Sequence, residues 1–244
     1  MRYAILGDIH ANEPALEAVL EQVDAEAIDA LIQVGDVVGY GAAPAEVIEI
    51  LRARNAIVVK GNHDAACVGE MDARLFNGDA RTAVRYTETA LSREDLQWLK
   101  DLPLIAHTEH LSVAHGTLDR PERFEYIQST ADADPSLDVM DRPVCFVGHT
   151  HVPVTILRFL ETPNRTSYTI ERHVDLSESS VALVNVGSVG QPRDEDPRAA
   201  YAIYDTETAQ VEVRRVEYDI ERAAARILKA GLPKMLADRL FLGF

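Results

Sequence analysis

An α/β fold is predicted by two features of the chain. Apolar strand-like runs alternate with amphipathic helical segments up to residue 59, and short strands then crowd residues 104–216. A third feature marks where chemistry belongs: polar residues and glycines stand directly after many of these strands, the position at which α/β folds keep their sites.

Tyr3–Leu6 reads as the first strand, followed by Gly7-Asp8-Ile9-His10-Ala11-Asn12. Next comes a helix carrying Leu16, Val19, Leu20 and Val23 on one face, with Asn12 as its N-cap. Leu31–Val34 forms the second strand, and Pro44–Arg54 the second helix with Pro44 near its first turn. The third strand is Ala56–Val59, β-branched and bounded by Asn55 and Gly61. Right-handed crossovers make this β-α-β-α-β order a parallel sheet. Residues 65–101 carry no strand signal, and Leu91, Leu96, Trp98 and Leu99 suggest helices that cover the site. Strands follow at Leu104–Thr108, Leu111–Ala114, Val144–Val147, Val154–Leu160, Ser167–Val174, Val181–Val186, Ala200–Tyr204 and Val211–Val216. They predict a second, largely antiparallel sheet. Asp219–Ala230 then forms an amphipathic helix on Ile220, Ala223, Ala224 and Ile227, ended by Gly231 and Pro233.

No linker, repeat or low-complexity tract divides the 244 residues, so one large domain over residues 1–244 is expected. The apolar runs are too short to span a bilayer, and the N-terminus lacks a secretory apolar stretch and cleavage site. Cys67 and Cys145 offer no disulfide framework and read as small buried residues. A cytoplasmic protein with no membrane partner is expected, its oligomeric state left open. A formal charge of −16, from 24 Lys and Arg against 40 Asp and Glu, argues against long nucleic acid as a partner. Small anionic substrates stay open, because bound metal ions supply positive charge that composition does not count.

Asp8 and His10 follow the first strand, Asp36 the second, and Gly61-Asn62-His63-Asp64 the third. His115 follows Leu111–Ala114, and Gly148-His149-Thr150-His151 follows Val144–Val147. Of eight histidines, five (His10, His63, His115, His149 and His151) come just after predicted strands, while His107, His110 and His173 do not. Taken singly, Asp8 and Asp36 also suit caps or turns, and any one histidine suits the core or surface. Together they form a mixed carboxylate, imidazole and amide-oxygen donor set suited to divalent Mn, Fe, Co, Ni or Zn. Seven donors exceed one ion and suit two that share a bridging carboxylate.

The series Asp8-x-His10, Gly35-Asp36, Gly61-Asn62-His63-Asp64, Ala114-His115-Gly116 and Gly148-His149-Thr150-His151 resembles the calcineurin-like metallophosphoesterase superfamily over residues 7–151. Asn185–Asp194 resembles its branch of small bacterial and archaeal phosphodiesterases. The resemblance implies a four-layer α/β/β/α sandwich of two mixed sheets flanked by helices. It implies one divalent ion on Asp8, His10, Asp36 and His151 and a second on Asp36, Asn62, His115 and His149, Asp36 bridging and Mn favoured. It further implies that His63 faces the phosphate, with Asp64 orienting its ring, while a metal-bridging hydroxide attacks in line. Arg193 is a candidate phosphate contact, although Asp194, Glu195 and Asp196 beside it offer surface partners instead. Two sibling groups do not fit. Val38-Gly39-Tyr40-Gly41 replaces the Asp-Arg-Gly run of protein Ser/Thr phosphatases, and Gly39 stands where purple acid phosphatases carry their iron-binding Tyr.

The expected function is dimetal-dependent phosphoester hydrolysis, foremost of phosphodiesters on small or nucleotide-type substrates. Phosphomonoesterase action is the alternative, and a non-catalytic nucleotide-binding or scaffold protein the alternative from another class. Residues 65–101 and 117–142 are expected to line the substrate approach, with Glu70, Asp72, Arg74 and Arg81 as candidate specificity residues.

Overall fold

The computed structural model describes residues 1–244. Its strands are β1 (Arg2–Leu6), β2 (Ala30–Gln33), β3 (Ile57–Val58), β4 (Ile105–His107), β5 (Leu111–Ala114), β6 (Val144–Val147), β7 (Val154–Phe159), β8 (Thr162–Thr169), β9 (His173–Asp175), β10 (Ser179–Asn185), β11 (Ala199–Asp205) and β12 (Gln210–Val216). The helices are α1 (Glu13–Asp24), α2 (Pro44–Ala53), α3 (Asn62–Cys67), α4 (Gly78–Ala90), α5 (Arg93–Asp101), α6 (Thr130–Asp138), α7 (Ile220–Lys229) and α8 (Lys234–Asp238). Helix boundaries follow local chemistry: the Asn12 side chain accepts from the Ala15 amide at 3.3 Å to start α1, and Pro44 opens α2. Asp219 caps α7, and Gly231, at φ +72°, follows its end.

Alternation along the strands produces the four layers. Ala4 and Leu6 of β1 turn toward α1 and α2, packing with Leu16, Val19, Val47 and Leu51. Tyr3 and Ile5 turn the other way and meet Leu111, Val113, Val144 and Phe146 of the second sheet. Cys145 and Val147 then face outward onto Ala133 and Leu137 of α6. Strands buried on both faces therefore read as continuous apolar runs.

Sheet membership differs from expectation. The first sheet runs β3-β2-β1-β11-β12-β9, so the two C-terminal strands join β1 and not the second sheet. β1 pairs antiparallel with β11, Tyr3 opposite Tyr204, which makes this sheet mixed. Ala199–Tyr204 is buried throughout and suits that central place. The second sheet runs β4-β5-β6-β10-β7-β8, and its pairs β5–β6 and β6–β10 are parallel, so it is also mixed. The single strand expected at Ser167–Val174 divides into β8 and β9, one in each sheet. At the break the Glu171 amide bonds the Thr169 hydroxyl at 3.1 Å, and Val174 then pairs with Val211 of β12. Helix α6, capped by Ser129, arises in a stretch whose apolar periodicity is weak and which contains Pro135. No helix is long and apolar enough to cross a membrane.

Both cysteines are buried, as expected, and unpaired. Burial pushes the Cys145 thiol up to about 12 and raises Cys67 well above the ordinary thiol range, with Asp64 adding to the latter. Iodoacetamide at pH 8 should therefore modify neither thiol in the folded protein and both in urea; mass spectrometry showing a labelled native thiol would contradict this packing.

Candidate metal centre

The ends of β1, β2, β5 and β6 and the start of α3 converge on one edge of the sandwich. Asp8, His10, Asp36, Asn62, His115, His149 and His151 all lie there and all are buried. Five of the seven adopt left-handed backbone conformations: Asp8 (φ 47°), His10 (50°), Asp36 (57°), His149 (70°) and His151 (62°). For residues with a Cβ this costs on the order of 1–3 kcal/mol each, and such strain is concentrated at functional sites. Cross-loop bonds hold the strain in place: the His10 amide donates to the Asp36 carbonyl at 3.0 Å and the Gly190 amide to the Asp8 carbonyl at 3.0 Å. Glycine is required where backbones pass the carboxylates, since a Cβ at Gly61 would collide with Asp36 Oδ1 and one at Gly148 with Asp8 Oδ2.

Donor atoms of Asp8, His10, Asp36 and His151 lie within 4.8 Å of one another, as do those of Asp36, His115 and His149. Asn62 Oδ1 stands 3.1 Å from His115 Nε2 and so adjoins the second group. Asp36 belongs to both. Its Oδ1 accepts from the His63 amide at 2.8 Å, while Oδ2 lies 3.5 Å from His10 Nε2 and 3.3 Å from His115 Nε2.

The histidine tautomers test whether this set suits cations. Nδ1 of His10, His115 and His151 faces the carbonyls of Val38 (3.0 Å), Val34 (2.9 Å) and Gln191 (2.5 Å), so each carries its hydrogen there. Nε2 then points inward, and His10 Nε2 meets His151 Nε2 at 3.1 Å. Burial lowers both rings' proton affinity well below the ordinary value, so two lone pairs face each other, an arrangement that a shared cation stabilises. Protonation balance gives the same answer. Burial pushes Asp8 up to about 8, and although burial opposes charge on His115, the Asp36 and Asp8 carboxylates raise it to about 9. The residues call for positive charge, and their O and N donors fit a divalent ion.

Residues 1–209 match the family model for the calcineurin-like phosphoesterase superfamily domain. The chain belongs to this superfamily. An uncharacterized protein of Methanocaldococcus jannaschii is 36% identical over 244 residues, covering 98% of this chain and 97% of that protein. The crystal structure of a metallophosphoesterase from Sphaerobacter thermophilus is similar at 39% identity with a TM-score of 0.87, each chain covered in full. A hypothetical protein from Pyrococcus horikoshii shares the fold at 23% identity and a TM-score of 0.82, over 100% of this chain and 98% of that one. The protein is a metal-dependent phosphoesterase with the four-layer fold of its relatives.

Within this phosphoesterase, His63 sits beside the donor set but outside both groups. Its ring centroid lies 4.9 Å from that of His10, 4.5 Å from Tyr40 and 4.8 Å from Phe76, and its Nδ1 has no hydrogen-bond partner. Burial, with Arg193 and His115 adding to it, pushes the ring down to about 4. The expectation that Asp64 orients this ring is corrected. The Asp64 carboxylate instead accepts from the amides of Gly61 (2.9 Å), Val38 (3.1 Å) and Val37 (3.3 Å), bracing the loop after β2 against the start of α3. Consecutive helical residues point about 100° apart, so Asp64 and His63 leave α3 in different directions.

Arg193 lacks the surface partners its neighbours offered. Asp194 pairs with Arg215, Asp196 pairs with Arg198, and Glu195 is exposed. Arg193 instead bonds Gln191 Oε1 at 3.0 Å and Tyr40 Oη at 3.4 Å, and its Nε is buried without a partner. Among the specificity candidates, Glu70 is held by Lys60 at 2.6 Å, Asp72 pairs with Arg74 on an exposed turn, and Arg81 is half-buried in α4. Sequence reasoning missed Tyr40, Phe76 and Tyr126. Tyr126 stacks on His149 with centroids 3.9 Å apart and planes at 13°. Only Tyr40, between two glycines, carried a local signal.

Proposed function

We propose that the protein is a dimetal phosphodiesterase acting on small or nucleotide-type substrates. One observation carries the dinuclear reading: Asp36 Oδ2 is near donors of both groups, 3.5 Å from His10 Nε2 and 3.3 Å from His115 Nε2. In this reading Asp8, His10, Asp36 and His151 hold one divalent ion, and Asp36, Asn62, His115 and His149 hold the other. Bound ions would supply neutralisation of phosphate charge and a water of lowered pKa. The chain's own residues do the rest. Three backbone carbonyls fix the histidine tautomers, and the braced loops keep the donors preorganised. His63 faces the reacting phosphate and either hydrogen-bonds its developing charge or, where the phosphate's negative charge raises the ring from the low value burial gives it, protonates the leaving oxygen, while Arg193 pairs with a non-bridging oxygen.

Metal analysis of purified protein, combined with turnover of bis-p-nitrophenyl phosphate and p-nitrophenyl phosphate with and without Mn²⁺, tests this. About two bound ions per chain and faster metal-dependent diester turnover are expected. Faster monoester turnover would overturn the phosphodiesterase reading, and saturation at one ion would overturn the dinuclear one.

A further inference from the structure

A cavity of about 830 Å³ opens beside the donor set, large enough for a nucleoside-sized group. The loop before α6, the start of β7 and the end of β8 build it, with Tyr126, Thr130, Ile156, Tyr168, Ile170 and Arg193 on its walls. In a chain of charge −16, no Asp or Glu lines it, and Arg193 is its one cation. Such a wall suits an uncharged planar group, with the anion to which that group is attached lying at Arg193.

The cavity's position relative to His63 decides which part of a substrate it takes. Tyr126 on its wall stacks on His149, whereas His63 lies among His10, Tyr40 and Phe76, none of which lines the cavity. Arg193 stands between the two, touching Tyr40 while lining the cavity. A leaving oxygen served by His63 therefore departs among side chains that the cavity does not include.

We infer that the cavity seats the retained ester arm of a phosphodiester, an aromatic or heterocyclic group up to nucleoside size, held between Tyr126 and the Tyr168–Ile170 wall. This rests on the phosphodiesterase reading and deepens it. In the hydrolysis, water oxygen forms the new P–O bond, the P–O bond to the leaving group breaks, and the leaving oxygen takes up a proton. The product is a monoester that still carries the seated arm. A phosphomonoester has no second arm, so this subsite favours diesters.

Two diesters with the same p-nitrophenolate leaving group isolate the effect: thymidine 5′-(p-nitrophenyl phosphate) and methyl p-nitrophenyl phosphate. The ratio of their kcat/KM values on Mn²⁺-loaded protein is expected to exceed about 10, the scale on which an apolar pocket discriminates. Tyr168 and Ile170 are 68% and 75% exposed, so the Tyr168→Ser/Ile170→Ser double variant should fold. In it the ratio is expected to fall to within about twofold of unity. Calorimetric binding of the products, thymidine 5′-monophosphate against methyl phosphate, should show the same preference and its loss. A wild-type ratio near one, or a ratio unchanged in the variant while diesters still turn over, overturns the subsite and leaves the phosphodiesterase reading standing. If neither diester turns over, that reading falls, and an equal affinity for the two monoesters removes the subsite as well.

Discussion

Asp36→Asn is expected to remove bound metal and activity together, with kcat/KM falling about 10³-fold or more, the scale of several kcal/mol of lost charge stabilisation. The substitution preserves volume and lets an amide oxygen occupy one carboxylate position, but it halves the acceptor capacity and takes away the negative charge. Both matter at this residue. Oδ1 accepts the His63 amide while Oδ2 faces His10 and His115, so the two oxygens have separate duties. An asparagine can place its oxygen toward only one of them, and its amide group then opposes either the backbone donor or the cations. Burial disfavours charge on Asp36, yet His115, with His63 and His10, holds its carboxyl well below the ordinary range. The mutation removes that carboxylate. Inductively coupled plasma analysis should find about two ions per chain in the wild type and clearly fewer in the variant. Full occupancy of both sites in Asp36→Asn would sink the bridging assignment.

His63→Ala should behave differently, keeping the metals and losing turnover. The ring contributes no donor to either group, so metal content should match the wild type within error. Its loss is expected to lower kcat by about 10²-fold or more, the contribution of a positioned acid or charge-stabilising donor. Leaving-group dependence separates the two roles. If His63 protonates the departing oxygen, alkyl diesters should lose far more than p-nitrophenyl diesters, whose leaving group needs little protonation; a uniform loss would assign it to charge stabilisation. An unchanged kcat on both would take His63 out of the mechanism. Because the ring packs against Tyr40 and Phe76, a thermal melt should accompany the kinetics, and His63→Gln serves as a variant that leaves less of a cavity.

By itself the sequence determined the α/β class and which polar residues stand at strand ends. β-Branched runs mark strands locally, and a polar residue beside glycine marks a strand end, so Asp8, His10, Asp36, Asn62, His115, His149 and His151 were legible without any long-range information. The four layers were implied only by the family resemblance: Tyr3–Leu6 is apolar throughout, so its sequence does not say which residues face α1 and which face the second sheet.

Strand partners were not legible. β11 adds to β1 across almost two hundred residues of chain, and Ser167–Val174 divides between sheets because Val174 finds Val211; backbone pairing of this kind leaves no periodic trace. The same holds at the site. Motif spacing placed Asp64 next to His63, but only helix geometry showed that its carboxylate holds three backbone amides instead of the ring. A run of acidic neighbours offered Arg193 partners, yet Arg198, two residues along, pairs with Asp196, and Arg215, brought close by the fold, pairs with Asp194, which leaves the Arg193 guanidinium facing the cavity. Residue type and local order identify which groups can do chemistry, whereas the direction of each side chain and the competition among charges are settled only when distant segments pack.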